Sequence, residues 1–195
     1  MTNNNEQLGR LYAAPVHRTE GKKDEAFTYG EITRVGVDQL LNMFSFRFGE
    51  DDVFYDMGCG YGKMLAHIAI ERKMKKICGV ELDLERAGSA IENFKNFTFP
   101  HTKPEIIIGD MFKQDYSDAT IVYFDNTMYT KELIDVFRIL PKECLFIYKA
   151  GGAATGDHFF ILETSYNSRK VVEAKEGVSD LGKFWIRRAS WRIIH

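Results

Sequence analysis

Residues 53–63 read Val53-Phe-Tyr-Asp-Met-Gly-Cys-Gly-Tyr-Gly-Lys63, and this stretch decides the fold. An apolar run that ends near Asp56 predicts a buried strand, and three glycines then lead into an amphipathic segment. Glycines at a turn between strand and helix allow positive φ angles and let a ligand lie against bare backbone. We therefore expect a ligand-binding loop, formed by Gly58, Gly60 and Gly62, at the carboxyl end of this strand.

The spacing of these glycines argues against a phosphate-binding loop. The motif is G-x-G-x-G, whereas a dinucleotide fingerprint needs a further glycine at the position of Lys63. A P-loop needs four residues between its glycines and Ser or Thr after its lysine, but Met64 follows Lys63 here. The motif thus fits neither a dinucleotide fingerprint nor a P-loop. Because a dehydrogenase would need the dinucleotide fingerprint, it is the least favoured of the functions considered.

Short apolar runs alternate with amphipathic ones on both sides of the loop. The predicted strands are 53–57, 77–80, 105–108, 120–124 and 145–148, and the predicted helices are 31–46, 63–73, 84–97 and 131–140. Strands separated by helices indicate parallel βαβ units covered on both faces. Nearer the C-terminus, 169–174 and 183–194 predict an antiparallel hairpin, and 158–166 fits either a strand or a helix.

Acidic residues follow the next strands, at the edge where ligands bind in open α/β sheets. Glu81 comes 19 residues after the last loop glycine, close to the spacing of about 20 expected of a ribose-binding acid. Asp110 and Met111 follow the third strand, where they could contact an adenine ring, and Asp125 with Asn126 follows the fourth. An acid that follows a strand is, taken alone, more often a helix cap than a ligand contact. Together they predict one crevice for a nucleoside-type ligand.

Composition excludes several classes of protein. The chain has 195 residues, 45% hydrophobic and 28% charged, with a formal net charge of −2, which fits one globular domain. Its three cysteines and five histidines show no ligand spacing, so no metal site is predicted. No apolar run would cross a bilayer and no secretory signal is visible, so we expect an intracellular protein, cytoplasmic or nuclear, without a membrane partner. Residues 1–26 are predicted to be a flexible arm without helix or strand, and 27–195 to be the domain.

These motifs closely resemble those of the class I S-adenosylmethionine-dependent methyltransferases. Asp56 with the glycine loop resembles their first motif, Glu81 their ribose-binding acid, Gly109-Asp110 their adenine-side motif and Asp125-Asn126 their catalytic-side motif. The resemblance covers about residues 27–149. It implies S-adenosylmethionine as cofactor and an α/β, three-layer Rossmann-like fold, with a mostly parallel seven-stranded sheet and a C-terminal antiparallel hairpin. An acid-lined crevice also suits a cationic sulfonium better than a polyanion.

A narrower resemblance is to the non-SET histone-lysine methyltransferases of the disruptor-of-telomeric-silencing type. Tyr29-Gly30-Glu31 is similar to the loop that this family closes over the methionine end of the cofactor. Lys63 stands where the family has glutamine, and Asp125-Asn126-Thr127 where it has Asn-Asn-Phe. Trp185 lies in a stretch similar to the family's last hairpin, whose aromatic residues line the lysine channel. The resemblance implies that Tyr29-Gly30-Glu31 and Lys63 contact the cofactor. It also implies catalytic roles for Asp125, Asn126 and Trp185.

Several functions stay open from the sequence alone. Methyl transfer to a protein lysine, in a histone-like or another protein, is favoured. A nucleosome or DNA partner has weaker support, because the basic clusters are short. The alternatives are methyl transfer to a small molecule or RNA, and a catalytically silent cofactor-binding subunit, against which the intact Asp56, Glu81 and Asp110 argue. Asp125 could also be a helix cap, and Trp185 an ordinary core residue.

Overall fold

The structure is a computed structural model that describes residues 3–13, 32–125, 136, 139–141, 144–150, 158–165, 168–172, 174–175, 187–188 and 192–193. Side chains are described as far as residue 147. The chain divides into two compact units, Met1–Gln114 and Asp115–His195. No helix in the described part of the chain is long and apolar enough to span a membrane.

The first unit alternates helices with parallel strands. Its helices are α1 Asn4–Ala13, α2 Arg34–Met43, α3 Lys63–Glu71 and α4 Leu84–Phe94, and its strands are β1 Val53–Met57, β2 Lys76–Glu81 and β3 Glu105–Ile108. A short 3-10 turn follows at Met111–Lys113. Strand β2 pairs in parallel with both β1 and β3. The predicted strands and helices of this unit are confirmed, with boundaries that agree within one helical turn.

Burial explains why these segments form their elements. All five residues of β1 are buried, as expected of a strand covered on both faces of a parallel sheet. In α3, seven residues from Met64 to Ile70 are buried, including His67. Helix α2 begins after Thr33, whose hydroxyl accepts a hydrogen bond from the N–H of Gly36. The sheet and α3 therefore give the glycine loop between them a rigid support.

Helix α1 corrects the prediction that residues 1–26 contain no helix or strand. It packs on α3, and its Leu8 and Leu11 are buried. Gln7 is also buried, and its side chain forms two hydrogen bonds with the backbone of Thr98. These partners are distant in sequence, so a polar segment with little helical pattern of its own is stabilised by tertiary contacts. The proposed domain boundary at residue 26 stays a prediction.

The second unit contains parallel and antiparallel strands. They are β4 Ile121–Asp125, β5 Leu145–Ala150, β6 His158–Ser165, β7 Ser168–Val172, β8 Ala174–Lys175, β9 Arg187–Arg188 and β10 Arg192–Ile193. Strand β5 pairs in parallel with β4 and antiparallel with β6. Strand β7 pairs antiparallel with β6 and β10, as β8 does with β9. The segment 158–166, left open above, is thus mostly a strand.

Two predictions about this unit are not decided. Most of the predicted helix 131–140 lies outside the described residues, although Val136 and Leu140 in it are buried. The seven-stranded sheet closed by a C-terminal hairpin also stays a prediction. The parallel pairs β1–β2, β2–β3 and β4–β5 establish the coarser parallel α/β arrangement.

Candidate active site

The glycine loop connects β1 to α3 through three residues with positive φ. The φ angles of Gly58, Gly60 and Gly62 are 84°, 54° and 69°. At Gly62 a side chain would also collide with α4, because a Cβ atom there would lie 2.7 Å from Cζ of Phe94. The backbone N–H groups of Gly58 and Cys59 both donate to the carbonyl oxygen of Val80, at 2.9 Å. The loop is therefore fixed to the end of β2.

Glu81, the last residue of β2, holds the loop with its side chain. Its Oε2 accepts a hydrogen bond of 2.8 Å from the N–H of Gly60, and its Oε1 accepts one of 2.9 Å from the N–H of Asp83. The residue is 5% exposed. A carboxylate has about four lone-pair directions, so two remain for hydroxyl donors from a ligand. The structure thus brings the predicted ribose-binding acid against the predicted cofactor loop.

Asp56 and Glu81 both act on Cys59, which lies inside the loop. Burial raises the pKa of the Cys59 thiol well above its usual value, and the charges of Asp56 and Glu81 raise it further. The thiol therefore stays protonated, and a protonated thiol is a poor nucleophile. Asp56 is buried and pairs with Gly79 across the sheet. The carboxylates of Asp56 and Glu81 thus both lie near the backbone of the glycine loop.

Asp110 and Met111 approach the same loop from the end of β3. The N–H of Gly109 donates to the carbonyl of Glu81 at 2.9 Å. The sulfur of Met111 would lie 3.9 Å from a Cβ atom placed on Gly58. Asp110 caps the 3-10 turn by accepting a hydrogen bond from the N–H of Phe112, which lowers its pKa, as does the nearby Lys113 ammonium. Three of the four predicted strand ends thus meet within the first unit.

Lys63 begins α3, and its side chain lines a separate cavity. This cavity has a volume of about 210 Å³ and is bordered by α1, the loop and the end of α4, including Arg10, Tyr61 and Phe94. None of the acids of the crevice lines it. The predicted contact of Lys63 with the cofactor is not tested by this placement and stays a prediction.

The remaining predicted site residues fall into two groups. Asp125 ends β4 in the second unit and is partly buried. Tyr29, Gly30, Glu31, Asn126 and Trp185 lie outside the described residues. Their predicted roles therefore stay predictions.

Two residues of the site were given no role in the sequence analysis. A Cβ atom on Gly79, in the middle of β2, would lie 2.5 Å from both Sγ of Cys59 and Cδ1 of Leu65, so only glycine lets the loop pack on this strand. A glycine inside a strand is a known sign of such a close approach. Arg86 is 3% exposed, with Nη1 lying 4.0 Å from Oε1 of Glu81. No sequence signal distinguished this arginine from those on the surface.

The described residues fit an adenosine-containing cation better than a nucleotide. The glycine loop has no side chain at three positions, of which Gly58 is exposed. Asp56 and Glu81 are buried beside the loop, and Asp110 follows the neighbouring strand β3. Carboxylates near a ligand favour positive charge and oppose phosphates. This donor set suits S-adenosylmethionine, in which an adenosine carries a sulfonium.

A comparison with known families agrees with this site. The family model described as "Histone methylation protein DOT1" matches residues 18–138, more than half of the chain. The chain belongs to the DOT1 family. The match includes the glycine loop, Glu81, Asp110 and Asp125, whereas α1 precedes it. The resemblance inferred from the sequence is thereby confirmed: this DOT1-family protein is a class I S-adenosylmethionine-dependent methyltransferase.

Individual relatives of this DOT1-family protein are more distant. It is 29% identical over 131 residues to a protein-lysine N-methyltransferase of Saccharolobus islandicus (strain REY15A), which covers 67% of this chain and 76% of the relative. It is 28% identical over 120 residues to the H3 lysine-79 specific histone-lysine N-methyltransferase of Caenorhabditis elegans, covering 55% of this chain and 12% of that protein. The similarity thus spans most of the archaeal relative and a small part of the nematode protein.

Solved structures show the same fold. An RNA methyltransferase from Salinibacter ruber in complex with S-adenosyl-L-homocysteine superposes with a TM-score of 0.60 at 23% identity, covering 71% of this chain and 95% of the other. The magnesium protoporphyrin IX methyltransferase of Synechocystis PCC 6803 with bound S-adenosylmethionine gives 0.51 at 12% identity, with 81% of each chain covered. At these identities the likeness establishes the Rossmann-like methyltransferase fold of the DOT1-family chain and nothing about its acceptor.

Proposed function

We propose that this methyltransferase acts on the side-chain amine of lysine in a protein. One observation carries the proposal: the DOT1 family match encloses every described residue of the glycine-loop site, from Asp56 to Met111. The names of the archaeal and nematode relatives, both lysine N-methyltransferases, support the same acceptor. No described feature favours RNA or a small molecule over a protein.

The proposal assigns the cofactor to the crevice of the first unit. Gly58, Gly60 and Gly62 would present the backbone, and Glu81 would accept hydrogen bonds from the ribose hydroxyls. Asp110 and Met111 would contact the adenine. The burial of Glu81 and its 2.8 Å hydrogen bond from Gly60 support this, because they fix the carboxylate at the loop before any ligand arrives.

Asp56, Lys63 and the stretch Tyr29-Gly30-Glu31 complete the proposed set of cofactor contacts. Asp56 is supported by its burial beside the loop. The other two rest on the resemblance stated in the sequence analysis. A loop before α2 that covers the methionine end would exclude water from the reacting atoms.

Bound S-adenosylmethionine supplies a methyl group on a positively charged sulfur. The protein's part is to position the acceptor nitrogen in line with that bond and to keep it deprotonated. An apolar, water-poor channel lowers the pKa of an amine, because burial disfavours the ammonium form. We assign Trp185 to the wall of such a channel, and we assign Asn126 with the adjacent backbone to orienting the nitrogen.

Asp125 has two possible effects that oppose each other. Its carboxylate, at the partly buried end of β4, would favour the ammonium form of a nearby lysine but could also accept the proton that leaves it. We therefore propose that Asp125 assists methyl transfer without being an obligatory base.

The proposal also covers the location, the partners and the finer fold of the enzyme. We propose an intracellular protein substrate and do not extend this to nucleosomes or DNA, because the formal net charge is −2 and the basic clusters are short. We also propose the finer fold of the class, a seven-stranded sheet closed by a C-terminal hairpin. The antiparallel pairing of β7 with β6 and β10 supports this fold.

Transfer of a labelled methyl group tests the acceptor. The protein is incubated with methyl-labelled S-adenosylmethionine and separately with histones, nucleosomes, protein extract, RNA and small metabolites. We expect label in protein, recovered as methyl-lysine after hydrolysis. The matched control uses the same proteins after their lysines have been acetylated with acetic anhydride, which converts each amine into an amide that cannot accept a methyl group and should remove the signal. Label confined to RNA or metabolites, or unchanged after blocking, would refute the lysine acceptor while leaving the methyltransferase activity standing.

A further inference from the structure

We propose that Arg86 is a positioning residue that sets the orientation of the Glu81 carboxylate toward the ribose of the cofactor. The inference rests on the proposed function, in which Glu81 accepts hydrogen bonds from the ribose hydroxyls. It adds a residue outside the strand-end motifs to the determinants of cofactor recognition.

The first support is the burial of both charges at one place. The side chains of Arg86 and Glu81 are 3% and 7% exposed, and Nη1 lies 4.0 Å from Oε1. A buried charge is costly unless a charge of opposite sign or hydrogen bonds compensate it. Arg86 is a cation of opposite charge that lies within 4.0 Å of this carboxylate. Each side chain therefore compensates the other.

The second support is the way the backbone between them is fixed. Asp83 donates its N–H to Oε1 of Glu81 at 2.9 Å. The same residue caps α4, since its Oδ1 accepts the N–H groups of Glu85 at 2.9 Å and Arg86 at 3.2 Å. The end of β2 and the first turn of α4 thus form one hydrogen-bonded corner. This corner holds the backbone of Arg86 close to the Glu81 carboxylate.

The contacts of Glu81 determine which lone pairs of its carboxylate face the ligand. Oε2 is held by the N–H of Gly60, and Oε1 by the N–H of Asp83 with the Arg86 guanidinium beyond it. The carboxylate cannot rotate without losing one of these three contacts. Its remaining acceptor directions are then preorganised, which reduces the ordering that ribose binding must otherwise impose. Arg86 acts through Glu81, so its replacement should mainly weaken the hydrogen bonds between Glu81 and the ribose hydroxyls.

Calorimetry with S-adenosylhomocysteine and its 2′-deoxy analogue tests this inference. We expect Arg86→Met to weaken S-adenosylhomocysteine binding by about 10-fold or more, the range of a charge-assisted contact, and to weaken the analogue less. Arg86→Lys, which keeps the charge, should recover most of the preference for the ribose hydroxyl. If Arg86→Met does not fold, Arg86→Gln gives the same readout. The matched control is Arg72→Met, at a partly buried arginine after α3, which should leave the ratio of the two affinities unchanged.

A double-mutant cycle separates this inference from the proposed function. Glu81→Gln alone should weaken S-adenosylhomocysteine binding, and adding Arg86→Met should then cost less than about 3-fold, because the two residues act on the same contact. An unchanged affinity ratio in Arg86→Met, or an equal loss with and without Glu81, would overturn the role of Arg86 alone. If Glu81→Gln itself leaves both affinities unchanged, the ribose role of Glu81 fails and the inference fails with it.

Discussion

The carboxylate of Glu81 and the backbone N–H of Gly60 form a buried hydrogen bond of 2.8 Å. Gly60 lies in the loop after β1, and Glu81 ends β2, 21 positions later in the chain. Through this bond, a side chain from β2 sets the shape of the loop that follows β1. The same oxygen atoms are those proposed to meet the ribose, so loop geometry and cofactor affinity should change together.

Replacement of Glu81 by alanine tests that coupling. We expect Glu81→Ala to weaken S-adenosylhomocysteine binding by about 1–3 kcal/mol, because buried hydrogen-bond partners are left unsatisfied. The Gly60 amide should exchange its hydrogen faster at the same time, as seen by NMR. Glu85→Ala, at an exposed acid in the first turn of α4, is the control and should change neither quantity. Slow exchange at Gly60 in Glu81→Ala would contradict the coupling.

Gly79 should not tolerate a methyl group. In Gly79→Ala the added Cβ would meet Sγ of Cys59 and Cδ1 of Leu65 at 2.5 Å, so we expect a loss of about 1–3 kcal/mol in unfolding free energy. A Cβ atom added to Gly88 in α4 would have no neighbouring atom within 4 Å, and Gly88→Ala should stabilise the protein by about 0.5–1 kcal/mol. Chemical denaturation measures both values. Equal stability of the two variants would show that β2 and the loop do not approach this closely.

His67 makes stability depend on pH. It is fully buried in α3, with Nδ1 2.9 Å from the Tyr12 hydroxyl and Nε2 3.1 Å from Oδ1 of Asp38. Burial lowers its pKa from 6.5 to about 4, although Asp38 acts in the opposite direction. The unfolded chain therefore binds more protons between these pH values. The contribution of His67 is fully present above pH 6.5 and is lost as the pH falls toward 4.

The comparison of two histidine variants measures this effect. Between pH 6.5 and 4, wild-type unfolding free energy should fall by up to about 1.4 kcal/mol per pH unit more steeply than that of His67→Asn. Titration of the carboxylates that lie away from His67 cancels in the difference. His101→Asn, at an exposed histidine, should keep the wild-type slope. A His67→Asn slope equal to that of the wild type would refute the assignment.

The docking of α1 should depend on Gln7. Its side chain donates to the carbonyl of Thr98 at 3.3 Å and accepts from the N–H of Thr98 at 2.7 Å. Because Gln7 is buried, we expect Gln7→Ala to cost about 1–3 kcal/mol and to speed hydrogen exchange in α1 more than in α3. Glu6→Ala, one position earlier and exposed, is the control. Uniform exchange changes in both helices would indicate global destabilisation instead.

The alternation of strands and helices could be predicted because it is encoded locally. The buried strand 53–57 begins with the apolar run Val53–Tyr55, and the three loop glycines mark the turn that their positive φ angles require. The segment 158–166 stayed ambiguous because a short apolar run fits a helix or a strand, and its pairing with β5 and β7 decides the matter. Periodicity reports which face of an element is apolar, but not what covers that face.

The sequence by itself determined the class of enzyme, since the glycine loop and the acid 19 residues later are set by spacing along the chain. Tertiary structure decided three other features: the helix at Asn4–Ala13, the need for glycine at position 79, and the placement of Arg86 against Glu81. The physical reason is the same in each case. Each feature depends on atoms that are distant in sequence and that folding brings close. These atoms stabilise a helix of weak local preference, leave no room for a Cβ atom at position 79, and place opposite charges side by side.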